Sequence, residues 1–270
     1  MKKTTIGILG PKGSYSDQVG SEYSKDNNKV FFDSINEVIL ALSSKKIEGA
    51  VLPLENSIHG TILETLDGLY NHDLKINKEI ILKIDHVLAG VNKKISASKI
   101  KYIYSHPQAL GQCKVYLQKR YPKAKLILTP STSFAVKKVK DEDRNDSLAI
   151  GSKFAVDTYG LYIVDEGIQD IKNNQTLFVH ISRNTDNKNI LPFTFFVIDP
   201  KVDKVGTLHG ILSIFKENNI NLLKIESRPS TKKLGKYIFY IKAEISSKDR
   251  NRGLILKELR KSGKVTLITK

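Results

Sequence analysis

The chain alternates between short apolar runs and segments whose apolar residues recur every three or four positions. Thr5–Leu9 is a continuous apolar run ending in a glycine-proline turn, which is typical of a buried strand. Ser34–Ser43 places its apolar residues on one face of a helix. This alternation continues as far as residue 181 and predicts an α/β fold for that part of the chain.

Two sets of strands and helices are predicted in this part. The first contains strands at Thr5–Leu9, Val30–Phe32 and Gly49–Leu54, with helices from Ser14 or Ser16 to Tyr23, at Ser34–Ser43 and at Ile62–Tyr70. The second contains an extended stretch at Asn77–Val91, strands at Tyr102–Ser105, Lys125–Leu128 and Leu148–Ile150, and helices at Pro107–Tyr121, Ser131–Lys140 and Ser152–Tyr159. A closing strand, Thr176–Ile181, returns the chain to the first set. We therefore expect two lobes that flank a cleft, a common place for a small ligand.

The last third of the chain has a different order of elements. It follows the polar segment Ser182–Asn189 and contains strands at Phe193–Ile198, Ile220–Glu226, Lys236–Glu244 and Val265–Ile268, with helices at Gly206–Asn218 and Lys248–Lys261. This βαββαβ order is the ferredoxin-like pattern. We predict a first domain at residues 1–183, a linker at 184–191 and a second domain at 192–270.

Composition narrows the class of protein. The 270 residues carry a formal net charge of +16, which raises nucleic acid as a partner. The lysines are scattered among acidic residues, without zinc-finger spacing or an RNA-recognition motif, so we interpret the charge as a lysine-rich solvated surface and expect no nucleic-acid partner. Cys113 is the one cysteine, and no apolar run is long enough to span a membrane. We expect a cytoplasmic protein that does not bind membranes.

Five polar clusters lie where the predicted pattern has loops or helix starts. They are Gly10–Ser16, Pro53–Gly60, Ser105–Gln112, Pro130–Phe134 and Ile168–Phe178. Hydroxyls, amides and the N–H groups of helix N-termini can hold carboxylates without a metal. No metal-ligand spacing occurs among His59, His72, His86, His180 and His209, so we expect no metal.

Each cluster is ambiguous when taken singly. Ser14 or Ser16 is a good helix cap, and His106 fits a capping role as well as a catalytic one. Thr176 at the head of an apolar strand fits an ordinary strand position. Glu226 and Arg228 fit an exposed ion pair of little energetic value.

Taken together and in this order, the clusters resemble the motifs of the prephenate dehydratase family over essentially the whole chain. The resemblance is carried by GPKGSYS, LPLENSIHGTILETLDGL, SHPQALGQC, STSFAVKKV and IQDIKNNQTLF. It implies a two-lobed fold like that of periplasmic binding proteins. The last third resembles the ACT-type domain with which the family senses phenylalanine, because NLLKIESRP at Asn221–Pro229 is close to the family's segment.

The resemblance also implies roles for individual residues. Thr176 would give a proton to the leaving hydroxyl of prephenate, with Asn174, Ser131 and Thr132 as its catalytic neighbours. Substrate-binding residues would be Ser16, Glu55, Asn56, Ser57 and Phe178. L-phenylalanine would bind, as an effector, to Gly206, Leu208, Asn221, Leu222, Glu226, Ser227 and Arg228. No cofactor is implied, and a homodimer or homotetramer is expected.

One position departs from the family pattern. Leu177 stands where the family's Thr-Arg-Phe has arginine. If that guanidinium holds a substrate carboxylate, its loss removes a charge-assisted hydrogen bond, and Lys12 and Lys153 are the nearest replacements by motif. The departure keeps three alternatives open: an arogenate dehydratase, a two-lobed amino-acid sensor without turnover and, from the charge, a nucleic-acid-associated regulator.

Overall fold

The computed structural model describes residues 4–23, 27–184, 190–202, 204–230 and 235–269. The contacts between residues divide the chain into two compact units. One unit comprises Met1–Thr65 and Ile80–Val179, and the other comprises Leu66–Glu79 and His180–Lys270. Most of the predicted linker, residues 185–189, lies outside the described residues.

The elements before residue 183 follow the predicted alternation of strands and helices. In chain order they are β1 (Thr5–Leu9), α1 (Tyr15–Tyr23), β2 (Asn28–Phe32), α2 (Ile35–Ser43), β3 (Gly49–Asn56), β4 (Gly60–Thr61), α3 (Leu63–Asn71), β5 (Lys75–Lys83), β6 (Val87–Gly90), β7 (Tyr102–Ser105), α4 (Pro107–Gln112), α5 (Lys114–Arg120), β8 (Lys125–Leu128), α6 (Thr132–Glu142), β9 (Ser147–Gly151), α7 (Lys153–Tyr159), β10 (Tyr162–Glu166) and β11 (Gln175–Ser182).

The first lobe is built on a sheet with the strand order β2-β1-β3-β11-β5, and β4 pairs with β3. β1 runs parallel to β2 and β3. Ile6, Ile8, Val51 and Phe178 are buried together in its core. The closing strand β11 therefore returns to the first sheet, as the sequence predicted.

The second lobe is built on a sheet with the order β10-β6-β9-β7-β8. β7 is parallel to β8 and β9, whereas β6 is antiparallel to β9. The extended stretch predicted at Asn77–Val91 is in fact two strands, β5 in the first sheet and β6 in the second. The short link between them is one of the crossovers that join the lobes. β10, on the edge of this sheet, was not predicted.

The helix predicted at Pro107–Tyr121 is interrupted at Cys113, and Asp170 explains the break. The carbonyl of Gln112 accepts a hydrogen bond from the backbone N–H of Asp170 at 2.6 Å. The carboxylate of Asp170 accepts from the N–H groups of Val115 and Tyr116 at 3.0 and 3.3 Å, which satisfies the first turn of α5. The chain thus forms two short helices, with Gln112 at the end of the first.

The C-terminal part has the predicted βαββαβ order. Its elements are β12 (Thr194–Pro200), α8 (Thr207–Glu217), β13 (Leu222–Pro229), β14 (Tyr237–Ala243), α9 (Asn251–Ser262) and β15 (Gly263–Leu267). The sheet has the order β13-β14-β12-β15, and its paired strands are antiparallel. Phe196, Phe215, Ile241, Ile255 and Leu259 form its buried core with both helices. Within the described ranges, no helix has the length and apolar content required to span a bilayer.

Candidate functional site

The glycine-proline loop of the first lobe packs against helices of the second lobe. The carbonyl of Lys12 accepts hydrogen bonds from Ser133 Oγ and, at 2.7 Å, from the hydroxyl of Tyr159. Gly13 has a φ of +81°, and a Cβ at this position would lie 2.9 Å from Ser133 Oγ. Only glycine combines this backbone conformation with so close an approach. The loop therefore has a packing role and places the start of α1 at the cleft.

A cavity of about 500 Å³ lies between the lobes, inside the first compact unit. It is lined by residues from all five polar clusters. Its wall contains five histidine and glutamine residues: His59, His86, His106, Gln108 and Gln112. Clusters that are distant in sequence therefore surround one space.

Seven of the nine predicted catalytic and substrate-binding residues line this cavity. They are Ser16, Asn56, Ser131, Thr132, Asn174, Thr176 and Phe178. Glu55 and Ser57 are not among the residues that line this cavity, and their contact with substrate stays a prediction. Successive residues of a strand point to opposite sides, so Asn56 on β3 faces the cavity and Glu55 does not. Ser57 has a supporting role, because its Oγ accepts from the N–H of Gln175 at 2.9 Å.

Leu177 lies outside the cavity wall, whereas Thr176 and Phe178 on either side belong to it. Phe178 is buried among the core residues of the first lobe, and Leu177 is half-buried elsewhere. A longer side chain at position 177 would start from the same Cα and point away from the cavity. The replacement of arginine by leucine therefore leaves the wall of the cavity unchanged.

Thr176 is held by a network of side-chain amides. Asn56 Nδ2 donates to Thr176 Oγ1 at 3.0 Å, and the same nitrogen lies 2.8 Å from Asn174 Oδ1. An amide nitrogen cannot accept a hydrogen bond, so the threonine oxygen is the acceptor in this contact. The hydroxyl hydrogen of Thr176 thus remains available to a ligand in the cavity. Thr176 itself is buried, with 8% of its surface exposed.

The start of α6 gives the cavity a second set of donors. Ser131 is the N-cap residue, and its Oγ accepts from the backbone N–H of Phe134 at 3.0 Å. Ser131 and Thr132 both belong to the cavity wall. The first N–H groups of a helix carry partial positive charge, which favours a carboxylate at this end. The cap role and the ligand role of Ser131 are compatible.

Sequence reasoning missed Tyr15, His86 and Gln112. His86 is 3% exposed and lies on the crossover between β5 and β6, where its ring contacts the hydroxyl of Tyr15 and the amide of Gln112. Burial lowers the pKa of His86 and raises the pKa of Tyr15, so both side chains are uncharged near neutral pH. The one sign of His86 in the sequence was its position between two apolar runs, without a metal-ligand partner.

The described part of the cavity wall contains neither lysine nor arginine. Its histidines are His59, His86 and His106. Burial, and then the proximity of His59, lower the pKa of His106, whose ring also accepts from the N–H of Gln108. No group of three or more metal-ligating side chains occurs among the described residues. The cavity can therefore bind an anion through neutral donors and helix N-termini.

Most of the residues that line this cavity come from the motifs on which the family resemblance depends. Comparison with known proteins decides whether that resemblance reflects membership of the family. A model of the prephenate dehydratase family matches residues 6–186, and a model of the ACT domain matches residues 201–261. The chain belongs to the prephenate dehydratase family. The sequence-based assignment, including the two-lobed fold followed by an ACT domain, is thereby confirmed.

Individual relatives align with this chain along most of their length. Prephenate dehydratase of Methanocaldococcus jannaschii is 41% identical over 252 residues, which cover 90% of this chain and 89% of the relative. Prephenate dehydratase of Lactococcus lactis subsp. cremoris is 35% identical, and the alignment covers 88% of this chain and 86% of the relative. A crystal structure of prephenate dehydratase in complex with L-Phe from Arthrobacter aurescens superposes with a TM-score of 0.87 at 26% identity. The superposition covers 98% of this chain and 88% of the Arthrobacter aurescens chain.

In this member of the prephenate dehydratase family, the predicted effector residues lie on two faces of the ACT sheet. Leu222 packs in the core beneath the helices, and Ser227 pairs with Phe239, another residue of that core. Glu226 pairs instead with Tyr240, whose side chain lies on the opposite face. Arg228 is on that face too, where it binds Asp67. Of the other predicted residues, Gly206 and Leu208 lie at the start of α8 and Asn221 just before β13.

Proposed function

We propose that the chain converts prephenate to phenylpyruvate, with loss of water and carbon dioxide, in L-phenylalanine biosynthesis. The observation that carries this proposal is the hydroxyl of Thr176. Its oxygen accepts from Asn56 at 3.0 Å, which leaves its hydrogen to a ligand in a cavity of about 500 Å³. In this proposal, residues 1–183 form the catalytic part and residues 192–270 the regulatory part.

The reaction requires one proton and no electron acceptor. Prephenate is a dianion, and the bond from its ring to the ring carboxylate breaks as the bond from C4 to the hydroxyl breaks. The electron pair of the first bond enters the ring, which becomes aromatic, and the hydroxyl leaves with an added proton as water. Prephenate dianion and one proton thus give phenylpyruvate monoanion, carbon dioxide and water. No group is transferred, so the chemistry requires no organic cofactor.

Thr176 supplies the proton at the leaving hydroxyl. An alcohol is too weak an acid to ionise freely, so its contribution depends on position and on stabilisation of the oxygen as the proton departs. Asn56 provides that stabilisation, because its N–H group already points at Thr176 Oγ1. Solvent then returns a proton to the threonine oxygen.

Neutral donors suit the two carboxylates. The hydroxyls of Ser131 and Thr132 and the N-terminus of α6 can bind one of them, and Ser16 at the start of α1 provides a further hydroxyl. A strong cation at the ring carboxylate would stabilise it and slow its departure as carbon dioxide. The apolar ring of Phe178 belongs to the same wall and offers packing area to the cyclohexadiene ring.

The ACT domain supports a proposal of feedback regulation by L-phenylalanine. The relative from Arthrobacter aurescens was solved in complex with L-Phe. For this chain we propose the same effector, bound by residues among Gly206, Leu208, Asn221, Leu222, Glu226, Ser227 and Arg228. A homodimer or homotetramer and a cytoplasmic location also belong to the proposal, the latter supported by a single cysteine.

The proposal is tested by incubating the purified chain with prephenate at neutral pH and measuring phenylpyruvate. Neutral pH is required because prephenate reacts unaided in acid. We expect turnover, and inhibition when L-phenylalanine is added. Phenylpyruvate formation no faster than in buffer would refute the proposal.

The same assay separates the alternatives. Turnover of arogenate in preference to prephenate would identify an arogenate dehydratase, and L-phenylalanine binding without turnover of either compound would identify a sensor. The position of Leu177 outside the cavity wall removes the main reason for both. A stable complex with DNA or RNA at physiological salt would support the nucleic-acid alternative.

A further inference from the structure

His86 has every polar atom in a hydrogen bond. Its backbone N–H donates to Gln169 Oε1 at 3.0 Å, and its carbonyl accepts from the N–H of Ile168 at 3.3 Å. Its ring Nδ1 lies 3.1 Å from the hydroxyl of Tyr15, and Nε2 lies 2.9 Å from Gln112 Oε1. The ring therefore joins residues of both lobes at one of the crossovers between them.

The orientation of one amide in the site is fixed independently by the backbone. Asn56 Oδ1 accepts from the backbone N–H groups of Ile58 and His59 at 3.0 and 3.1 Å. At its other end, Asn56 Nδ2 donates to the carbonyl of Gln175 at 3.1 Å. An inverted amide would face two donors with its NH₂ group and a carbonyl with its oxygen. Asn56 can therefore present only its nitrogen to Thr176.

This fixed end determines the direction of every bond back to His86. Asn56 Nδ2 is a donor, so Asn174 must face it with Oδ1 at 2.8 Å. Asn174 then presents Nδ2 to Gln112 at 3.2 Å, so the Gln112 atom is the acceptor Oε1. Because this oxygen also faces His86 Nε2, that ring nitrogen must carry hydrogen. The neutral ring thus has a bare Nδ1, which lies 3.1 Å from the hydroxyl of Tyr15; that hydroxyl also donates to the carbonyl of Asp85 at 2.8 Å.

We propose that His86 is a positioning residue: its Nε2–H group and Asn174 Nδ2 together hold Oε1 of Gln112, and this keeps Asn174 and Asn56 aligned on the hydroxyl of Thr176. Without the donor at Nε2, Oε1 of Gln112 keeps only the hydrogen bond from Asn174, and the amide is held less firmly. Asn174 then has a less firmly held partner at its Nδ2, and the alignment of Asn56 with the Thr176 hydroxyl loosens in turn. This inference depends on the proposed function.

Two substitutions at His86 separate the two ring nitrogens. The amide of glutamine reaches the position of Nε2, so His86→Gln retains a donor to Gln112 and loses the partner of Tyr15. The amide of asparagine reaches the position of Nδ1, so His86→Asn retains a partner for Tyr15 and loses the donor. Both variants lose the aromatic ring and are expected to lower the melting temperature similarly. His72→Asn, at an exposed histidine, is the control.

The readout is kcat and KM for prephenate together with the melting temperature. We expect His86→Asn to lower kcat about 10-fold or more with KM changed less than about 3-fold, because a misaligned donor affects the transition state more than binding. His86→Gln should keep kcat within about 3-fold of the wild type. Equal kcat in the two variants, or a smaller kcat in His86→Gln, would overturn the proposal. An inactive wild-type chain would refute the proposed function instead.

Discussion

Arg228 and Asp67 form a two-point ion pair, with Nη2 2.6 Å from Oδ2 and Nε 3.3 Å from Oδ1. The hydroxyl of Tyr240 donates to the same carboxylate at 3.3 Å. Asp67 lies on α3, which begins one residue after Ile62 of the cavity wall, and Arg228 belongs to the predicted effector segment. The pair thus joins the ACT sheet to α3 within the second compact unit.

Substitution of Asp67 should therefore alter regulation more than catalysis. We expect Asp67→Asn to change the L-phenylalanine concentration for half-inhibition about 3-fold or more, since it removes the charge opposite Arg228. The cost to the free energy of unfolding should be about 1 kcal/mol, because the pair is partly exposed. Asp141→Asn, which removes an exposed pair with Lys137, is the control. Identical inhibition curves for Asp67→Asn and the wild type would exclude this role.

Leu177 gives a prediction about the departure from the family motif. Since its side chain lies outside the cavity wall, Leu177→Ala should change kcat/KM for prephenate by less than about 3-fold. Leu177→Arg should likewise leave the prephenate preference over arogenate unchanged. Assays of both variants with both substrates test this. A large gain in kcat/KM on introducing arginine would mean that the position acts on the substrate after all.

The buried ring of His86 predicts a pH dependence of stability. Its pKa is lowered in the folded protein, whereas in the unfolded chain it is about 6.5. The neutral ring makes its full contribution to the free energy of unfolding above the pKa of the unfolded chain. This contribution is lost as the pH falls toward the folded pKa, because the unfolded state binds the proton more tightly. The loss has a slope of at most about 1.4 kcal/mol per pH unit. His86→Gln should show a smaller fall in unfolding free energy between about pH 7.5 and about pH 5 than the wild type or His72→Gln. An unchanged fall would contradict a buried neutral histidine.

The sequence predicted the strands well because their signal is local. β1, β7 and β8 have the predicted bounds, and the βαββαβ order of the last third is also correct. The break at Cys113 could not be predicted, because it depends on Asp170, which is distant in sequence and contributes both a backbone and a side-chain partner. The division of the stretch at Asn77–Val91 between two sheets likewise depends on long-range strand pairing.

The candidate site shows the same division between local and distant signals. Motifs located Thr176 and Asn56, because these residues lie in recognisable clusters. Strand alternation distinguishes Asn56 from Glu55. The sequence could not make this distinction, because the predicted strand ended at Leu54, two residues before the observed end of β3. His86 belongs to none of the clusters, and its role becomes visible only through its contacts with Tyr15 and Gln112.

The most direct test of the account compares Thr176→Val with Thr176→Ser. Valine keeps the shape of the side chain and removes the hydroxyl, whereas serine keeps the hydroxyl beside Asn56. We expect Thr176→Val to lower kcat for prephenate by about 10²–10⁴-fold, the usual contribution of a positioned proton donor, with an unchanged melting temperature. Thr176→Ser should retain activity within about 10-fold of the wild type. A folded Thr176→Val variant with nearly full activity would contradict the assignment of Thr176 as the proton donor.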